Sequence, residues 1–380
     1  MPSVQKILFS VGDPSGDVNC ACLIGALKER YPMMRLYGLG GPAMERRGFE
    51  SLFPFHRFNA MGYVEVVKKL PFFLRMKGKM QKILRQDRPD LLVCVDYSGF
   101  NRPLMRMAAQ LDIPVLWYIA PMIWAWKRKK HGLFLGAYAT HIATIFPFEV
   151  DHWREFTPAV SFVGNPLYDT LRDRGVFSLR TVRSTPQTLL FVPGSRPGEL
   201  KRMLPFFYEC ITAIRRLYPG VEIVISRAEY VEASQFTQFL QEGVEVSTEP
   251  LSQLYQRADY AFITSGTAAL EAAFYGLPHT IVYKTASINM CIMKQLIRGI
   301  RHIGLINIMA GKEVVPELIQ QECTPENCCT ILAEFFAEPQ QYELFKKRIH
   351  AVVQPFAEVD SREALPRLVE NLLHLGDRHG

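Results

Sequence analysis

The sequence predicts an α/β protein made of two doubly wound parallel sheets in tandem. Three observations carry this. Short, wholly apolar runs recur along the chain, the composition a strand needs when both of its faces are covered. Each run ends in a Gly-, Pro- or Asp-rich loop and gives way to a helix-compatible stretch. The pattern starts afresh after about residue 166, and 380 residues suit two domains better than one.

The elements follow in order. Lys6 to Val11 reads as a strand, Gly12 to Asp17 as its exit loop, and a helix runs on to about Glu29. Arg35 to Gly38 is a second strand, followed by Gly40-Gly41-Pro42 and a short helix. Leu91 to Val95 is a further strand with Asp96 at its C-terminal end; Val115 to Ile119 and His141 to Ile145 come next. In the second half, strands are expected near 188–192, 221–225, 258–263 and 279–283, with a linker in the Ser/Thr-rich stretch 164–187. Pro205 is read as a break or a second helix start. Two such units would place a cleft between them, with ligands at the C-terminal edges of the strands.

Composition narrows the class. Hydrophobic residues make up 48% of the chain, and the net charge of +7 suits anionic partners such as phosphates or acidic lipid. The charge is dispersed and no nucleic-acid-binding signature is present, so nucleic acid ranks low. Eight cysteines form no CxxC pair and several lie in apolar runs, as free thiols of a reducing cytosol do. No apolar stretch reaches the roughly 18 residues of a transmembrane helix, and the apolar run at the N-terminus is too short for a secretory signal.

Two loops carry chemistry. Thr188 to Val192 runs into Pro193-Gly194-Ser195-Arg196 and then a helix, with Glu199 in its first turn. A helix N-terminus offers free amides and a positive dipole end; Ser195 adds a hydroxyl, and Arg196 adds a guanidinium fork that matches phosphate oxygens. The alternative is an ordinary strand–helix turn with a surface arginine. The design recurs at 258–276: a strand, the small loop Thr264-Ser265-Gly266-Thr267, and a helix from Ala268 that ends at Gly276. Glu271, one turn into that helix, can accept bonds from the paired hydroxyls of a ribose; otherwise it is an acid that complements the dipole.

Two phosphate-cradling loops and a ribose-binding acid imply a nucleoside diphosphate ligand. The chain has no Asp-x-Asp pair, Walker loop or HExxH motif. Fixed donors would then stabilise the departing nucleoside diphosphate, which is the logic of a metal-independent glycosyltransferase. Asp96, at a strand end, is the natural base for the acceptor hydroxyl; its bland role is a helix N-cap. Gly38 to Ala43 matches the dinucleotide pattern G-x-G-x-x-A, but it follows the second strand and places Pro42 where close helix packing should begin. Residues 61–82 interleave bulky apolar side chains with Lys and Arg, as a segment on an anionic bilayer would; a core-packed helix with a solvated basic face is the alternative.

Taken together, the chain resembles the lipid-A-disaccharide synthase family, inverting transferases of the GT-B fold. The resemblance rests on collinear pieces: GDPSGD (12–17), GGPAM (40–44), MGYVEV (61–66), VDYSGFN (95–101), PMIWAWK (121–127), FPFE (146–149), FVGNPL (162–167), PGSRPGE (193–199), SGTAALE (265–271), VYKT (282–285) and NIMAGKEVVPELIQ (307–320). It implies transfer of 2,3-diacylglucosamine from its UDP donor to 2,3-diacylglucosamine 1-phosphate, giving a β-1,6 disaccharide and UDP. The implied domains are 1–165 on the acceptor and membrane side, 166–345 for UDP-sugar binding, and a tail, 346–380, that crosses back or swaps between partners of a homodimer. The implied UDP site is Gly194, Ser195, Arg196, Glu199, Ser265, Gly266, Thr267, Ala268 and Glu271. Asp96 is the implied base, with Asp13 and Asp17 as alternatives for the proton. Ser15 and Gly16 would approach the reacting sugars, and Asn307 would line the cleft. Met61, Val66, Val67, Leu70, Phe72 and Phe73, with Lys68, Lys69 and Arg75, would meet the inner face of the cytoplasmic membrane. Neither a cofactor nor a metal is implied.

The sequence departs from the family pattern near the inferred reaction centre. Asp13-Pro14 stands where the family usually has Glu-Ala, Ser98-Gly99 where it has Pro-Asp, Ala120 to Ile123 where it has Ser-Pro-Ser-Val, and Asn165 where it has His. Rival readings are a related UDP-sugar epimerase or peptidoglycan transferase, and a non-catalytic nucleotide-sugar-binding protein.

Overall fold

The computed structural model describes residues 5–55, 70–121, 123, 129–173, 185–285, 302–338 and 340–376. The chain divides into two units: the first runs to Asp169 and resumes at Phe356, and the second is Thr170–Pro355. The division falls at 169/170, four residues beyond the expected 165/166.

The first unit contains β1 (Lys6–Val11), α1 (Pro14–Arg30), β2 (Arg35–Leu39), α2 (Pro42–Glu45), β3 (Glu50–Ser51), α3 (Leu70–Gln86), β4 (Leu91–Val95) and α4 (Ser98–Gln110). It continues with β5 (Val115–Tyr118), α5 (Lys129–Tyr138), β6 (His141–Thr144), α6 (Glu149–Arg154), β7 (Val160–Phe162) and α7 (Pro166–Asp173). Its seven strands are all parallel, in the order β3-β2-β1-β4-β5-β6-β7. The order reverses between β1 and β4, as in a doubly wound sheet. One face packs Phe9 and Val93 against Leu23, Ile24 and Leu27 of α1; the other packs Leu92 and Trp117 against Met76, Met80 and Leu84 of α3. That four-residue spacing is the buried stripe of an amphipathic helix.

The second unit comprises β8 (Thr188–Val192), α8 (Pro197–Leu217), β9 (Glu222–Ser226), α9 (Thr237–Gln241), β10 (Glu245–Ser247), α10 (Leu251–Arg257), β11 (Tyr260–Thr264) and α11 (Thr267–Phe274). After these come β12 (His279–Tyr283), α12 (Leu305–Ala310), β13 (Glu317–Ile319), α13 (Pro325–Ala337) and α14 (Gln340–Ala357). The sheet order is β10-β9-β8-β11-β12-β13, again all parallel and again reversing beside its first strand. Pro205 does not break α8, contrary to expectation: the helix runs through it to Leu217. Pro205 is exposed, so water can satisfy the carbonyl it leaves unpaired, while Met203, Phe206 and Phe207 anchor the turn in the core.

The last helix, α15 (Ser361–Gly376), belongs to the first unit. Leu365, Val369, Leu372 and Leu373 complete the core on the α1 side of the sheet. Its entry is tightly specified. Gly164 adopts φ +82°, and a Cβ there would lie 2.5 Å from the Ser361 amide nitrogen, so only glycine lets the segment pass. The buried Asp169 carboxylate accepts both the Ser361 amide, at 2.8 Å, and the Ser361 hydroxyl. Asp169→Ala removes two bonds to a buried charge and is expected to lower the stability of this unit by roughly 3 kcal/mol in urea unfolding. An unchanged midpoint would mean that the other contacts of α15 dock it without the Asp169 bonds.

Candidate active site

In the first unit the site forms where β1 and β4 lie side by side and their chains leave for opposite faces of the sheet. The β1 exit carries Gly12 to Asp17. Asp13 is the N-cap of α1, and its side chain accepts the Gly16 amide at 3.1 Å. Its other oxygen, Oδ1, is buried without a hydrogen-bond partner. Pro14 opens the helix, where its missing N–H costs nothing. Asp13-Pro14 is thus a self-consistent helix start. Ser15 is exposed on the first turn; Gly16 is buried, and a Cβ there would stand 2.9 Å from Val11 and 3.2 Å from Val95.

Asp17 faces away from this edge. It is 3% exposed, and its carboxylate accepts the amides of Gly41 (2.9 Å), Ala43 (3.0 Å) and Met44 (3.1 Å). It therefore holds the β2–α2 loop, the GGPAM segment, and has little capacity left for a ligand.

The β4 exit is strained. Asp96 has φ +40° and Tyr97 φ +46°, and nearby Ile119, after β5, has φ +58°. Left-handed backbone at non-glycine residues costs about 1–2 kcal/mol each and gathers at functional sites. The Tyr97 ring lies over Gly12, where a Cβ would meet it at 2.4 Å, so the two exit loops touch through an aromatic lid on a glycine. Asp96 opens to solvent on one side, yet the surrounding protein withholds water, and this desolvation raises its pKa. The like charge of Asp13 pushes in the same direction, and a bond from the Tyr97 amide opposes both.

Asn101 holds this turn, a role not read from the sequence. It is fully buried on α4; its Oδ1 accepts the Ser10 hydroxyl at 2.5 Å, and its Nδ2 donates to the carbonyls of Asp96 (3.0 Å) and Ser10 (3.2 Å). One side chain thus ties the end of β1 to the turn that carries Asp96. The residue stands last in VDYSGFN, and that position within a helix that otherwise buries apolar groups was its signal. Asn165, where the family usually has His, caps α7 through the amides of Leu167 (3.0 Å) and Tyr168 (3.3 Å).

The second unit repeats the arrangement at β8 and β11. Gly194 has φ +83°, and a Cβ there would lie 2.5 Å from Glu199 Oε2. Pro197 opens α8, and Glu199 folds back to accept the Arg196 amide at 3.4 Å and pair with its guanidinium at 3.0 Å. Arg196 is 78% exposed at the loop tip. The charged fork is therefore held over the α8 N-terminus by its own first turn. Across the switch, Ser265, Gly266 and Thr267 lead into α11; Ser265 Oγ donates to the Ile303 carbonyl at 3.3 Å. Tyr255 donates to the Ala268 carbonyl at 2.9 Å, and Glu271 lies close enough to help raise the pKa of that buried tyrosine.

Asn307 does not line a ligand surface. It is fully buried and every valence of its amide is used: Nδ2 donates to the Val315 carbonyl and Glu317 (both 2.8 Å), and Oδ1 accepts the amides of Val314 (2.7 Å) and Val315 (3.0 Å). Glu317 in turn accepts the amides of Ile303 and Gly304 at 2.9 Å, fixing the approach to α12. Together they shape the segment that meets Ser265. Glu317 was also missed; it reads as an ordinary strand-edge acid.

Of the residues expected at a membrane, Met61, Val66, Val67, Lys68 and Lys69 lie outside the described residues, as does the side chain of Leu70. Phe72 and Phe73 are half-buried, with Phe72 edge-on to Phe53 at 6.1 Å; Arg75 is exposed beside Leu74, which is 59% exposed. Among the described residues no helix is long and apolar enough to cross a membrane.

The Asn101 clamp has a measurable consequence. Asn101→Ala strands buried polar groups of Ser10 and Asp96 and is expected to cost roughly 1–3 kcal/mol. The cost should appear as amide exchange that quickens at the β1 and β4 exits more than in the rest of the first sheet. Uniformly faster exchange would make Asn101 a general stability residue instead.

The comparisons agree with the geometry. The family model described as lipid-A-disaccharide synthetase matches residues 7–364. The lipid-A-disaccharide synthase of Trichlorobacter lovleyi is 33% identical over 91% of this chain and 91% of its own. That of Pseudomonas aeruginosa LESB58 is 32% identical over 96% of this chain and 98% of its own. Among solved structures, the glycosyltransferase of kitacinnamycin aligns over 98% of this chain and 100% of its own, at TM-score 0.60 and 16% identity. A Neisseria meningitidis UDP-GlcNAc 2-epimerase bound to UDP-GlcNAc aligns over 93% of this chain and 100% of its own, at TM-score 0.58 and 11% identity. These structural likenesses establish the GT-B fold. With the family model spanning nearly the whole chain and curated relatives above 30% identity over most of both chains, the chain belongs to the lipid-A-disaccharide synthase family.

Proposed function

We propose that this chain transfers 2,3-diacylglucosamine from UDP-2,3-diacylglucosamine to the 6-hydroxyl of 2,3-diacylglucosamine 1-phosphate, releasing UDP. One observation carries the reading: in a chain of this family, each sheet has two loops beside its switch point. Those of the first unit bear carboxylates and those of the second bear amides, hydroxyls and an arginine.

The acceptor O6 attacks the anomeric carbon as the bond from that carbon to the UDP oxygen breaks, with inversion to the β-linkage. The O6 proton passes to Asp96. The electron pair of the broken bond leaves on UDP, whose new charge meets the α8 and α11 amides, Ser195, Thr267 and Arg196. Glu271 takes the ribose hydroxyls, while Glu199 fixes Arg196 and leaves the anion to it. Asp13 tunes Asp96, and Ser15 sits beside the reacting sugars. Asp17 and Asn307 act by positioning loops. The enzyme works at an anionic membrane surface, where diacylated substrates reside, and as a homodimer. The basic, greasy character of 61–82 supports the first point and the family resemblance the second.

Mass-spectrometric detection of the disaccharide from both substrates in mixed micelles tests this. Saturable UDP binding without product would sink the assigned reaction. Asp96→Asn is expected to reduce turnover by about 100-fold or more, with UDP affinity intact. Its melting temperature should hold or rise, because Asn tolerates left-handed backbone and the raised pKa means that the Asp96 charge works against folding.

Asp96 must be deprotonated to act, so kcat/KM falls as pH drops through its raised pKa. Asp13→Asn keeps a good cap but removes a like charge, so the carboxylate forms more easily and the acid limb should move to lower pH. An unmoved limb would mean that another group takes the proton.

A further inference from the structure

Three helices on one face of the first unit are charged in one sense only, while their neighbour α6 carries Glu149 and Asp151. α3, α4 and α5 together contain nine Lys and Arg and no Asp or Glu. Elsewhere in this unit Arg30, Arg35, Arg154 and Arg362 each lie within 3.2 Å of a carboxylate. Among the described residues, Arg102 and Arg106 of α4 have no such partner, and neither do Arg46, Arg47, Arg75, Arg85 and Arg88; what sets the α4 pair apart is how it is held.

These two arginines are nevertheless held in place. The Arg102 guanidinium carbon stands 4.3 Å from the Phe134 ring centroid, and that of Arg106 lies 5.2 Å from Phe134 and 5.5 Å from Tyr138. Phe134 and Tyr138 are themselves in contact, at 4.7 Å between ring centroids, on α5. The spacing i, i+4 on both helices sets two guanidinium planes side by side on one aromatic platform. Arg102 Nε is buried with no hydrogen-bond partner. A stacked guanidinium keeps its edge donors free, and two such edges suit an oxyanion with several equivalent oxygens. Position adds to this: α4 starts two residues after Asp96, so Arg102 lies about 6 Å along the helix axis from its first turn.

We propose that Arg102 and Arg106, stacked on Phe134 and Tyr138, form the binding site for the phosphate monoester of the acyl-sugar acceptor. The identity of that ligand rests on the proposed reaction. The site distinguishes an acceptor that carries a phosphate from one that does not, and the nine basic residues of α3, α4 and α5 draw the anion to it.

The test uses the full chain in mixed micelles. For Arg102→Gln and Arg106→Gln the acceptor KM should rise about 10- to 100-fold, as expected for losing charge-assisted bonds, while the donor KM stays within twofold. The parent's preference for the phosphorylated acceptor over its dephosphorylated analogue should shrink by the same factor, and Arg106→Lys should restore part of it. An unchanged acceptor KM in both Gln variants overturns the proposal. So does loss of binding to phosphatidylglycerol vesicles with the micellar KM unmoved, which would assign the arginines to lipid headgroups. If Arg102→Gln fails to fold, the exposed Arg106 carries the test. If the parent makes no disaccharide, the reaction is wrong, but calorimetric titration with glucosamine 1-phosphate still decides the site: weaker binding in Arg106→Gln supports it, and equal binding overturns it.

Discussion

The reversal of strand order beside the first strand of each sheet is the constraint on which the rest depends. Where β1 adjoins β4, and β8 adjoins β11, neighbouring chains turn to opposite faces. Nothing in the sheet can then cover the crevice between the two exits, and the helices that follow point unpaired amides toward it. A parallel sheet built this way gains two polar notches without any further device. What the sequence adds is the chemistry of the notch. Asp13 and Asp96 make that of the first unit acidic, whereas Arg196, Ser265 and Thr267 bring a cation and hydroxyls to the second.

Open notches are useful only if their rims are stiff, and buried polar side chains supply the stiffness. Asn101 clamps β1 to the Asp96 turn, Asp17 gathers three amides of one loop, and the Asn307–Glu317 pair fixes the segment next to Ser265. Each network is saturated, so removing one member strands its partners and costs far more than the net gain from forming the bond. Such groups specify loop shape more than they raise stability. They let Asp96 and Tyr97 stay in left-handed backbone that a free chain would leave.

The central strands were legible because burial on both faces forces a continuous apolar run. Thr188–Val192 and His279–Tyr283 were read to the residue. The edge strands Glu50–Ser51, Val160–Phe162 and Glu317–Ile319 were not, since two or three residues carry no period. Pro205 was misread because sequence cannot say whether a proline faces water. Local structure was read well where it depends on neighbours in the chain, as in the Gly194 to Glu199 turn. It was read poorly where the partner is remote. Asp17 looks like a loop acid until Gly41 to Met44 fold onto it, and Asn307 looks like a ligand group until Val314 and Val315 use up its oxygen. Glu317 was invisible for the same reason, and the position of Asn101 marked it without showing its role: a single polar letter does not show where its bonds go.

The treatment of charge separates structural from chemical residues more sharply than motif membership does. Asp169 spends its carboxylate on Ser361, and Arg30 lies between Glu363 and Glu370 where α15 meets α1. Asp96 and Arg102 are treated differently: one has its charge opposed by a like neighbour, and among the described residues the other has a buried donor without an acceptor. Neither arrangement favours the empty fold, and both are relieved by the chemistry proposed for them, a proton arriving at the carboxylate and an oxyanion at the guanidinium. Stability is therefore drawn from the α15 side of the sheet and given up at the β4 exit and along α4. That division is expected where a site must hold groups ready for a ligand rather than for each other.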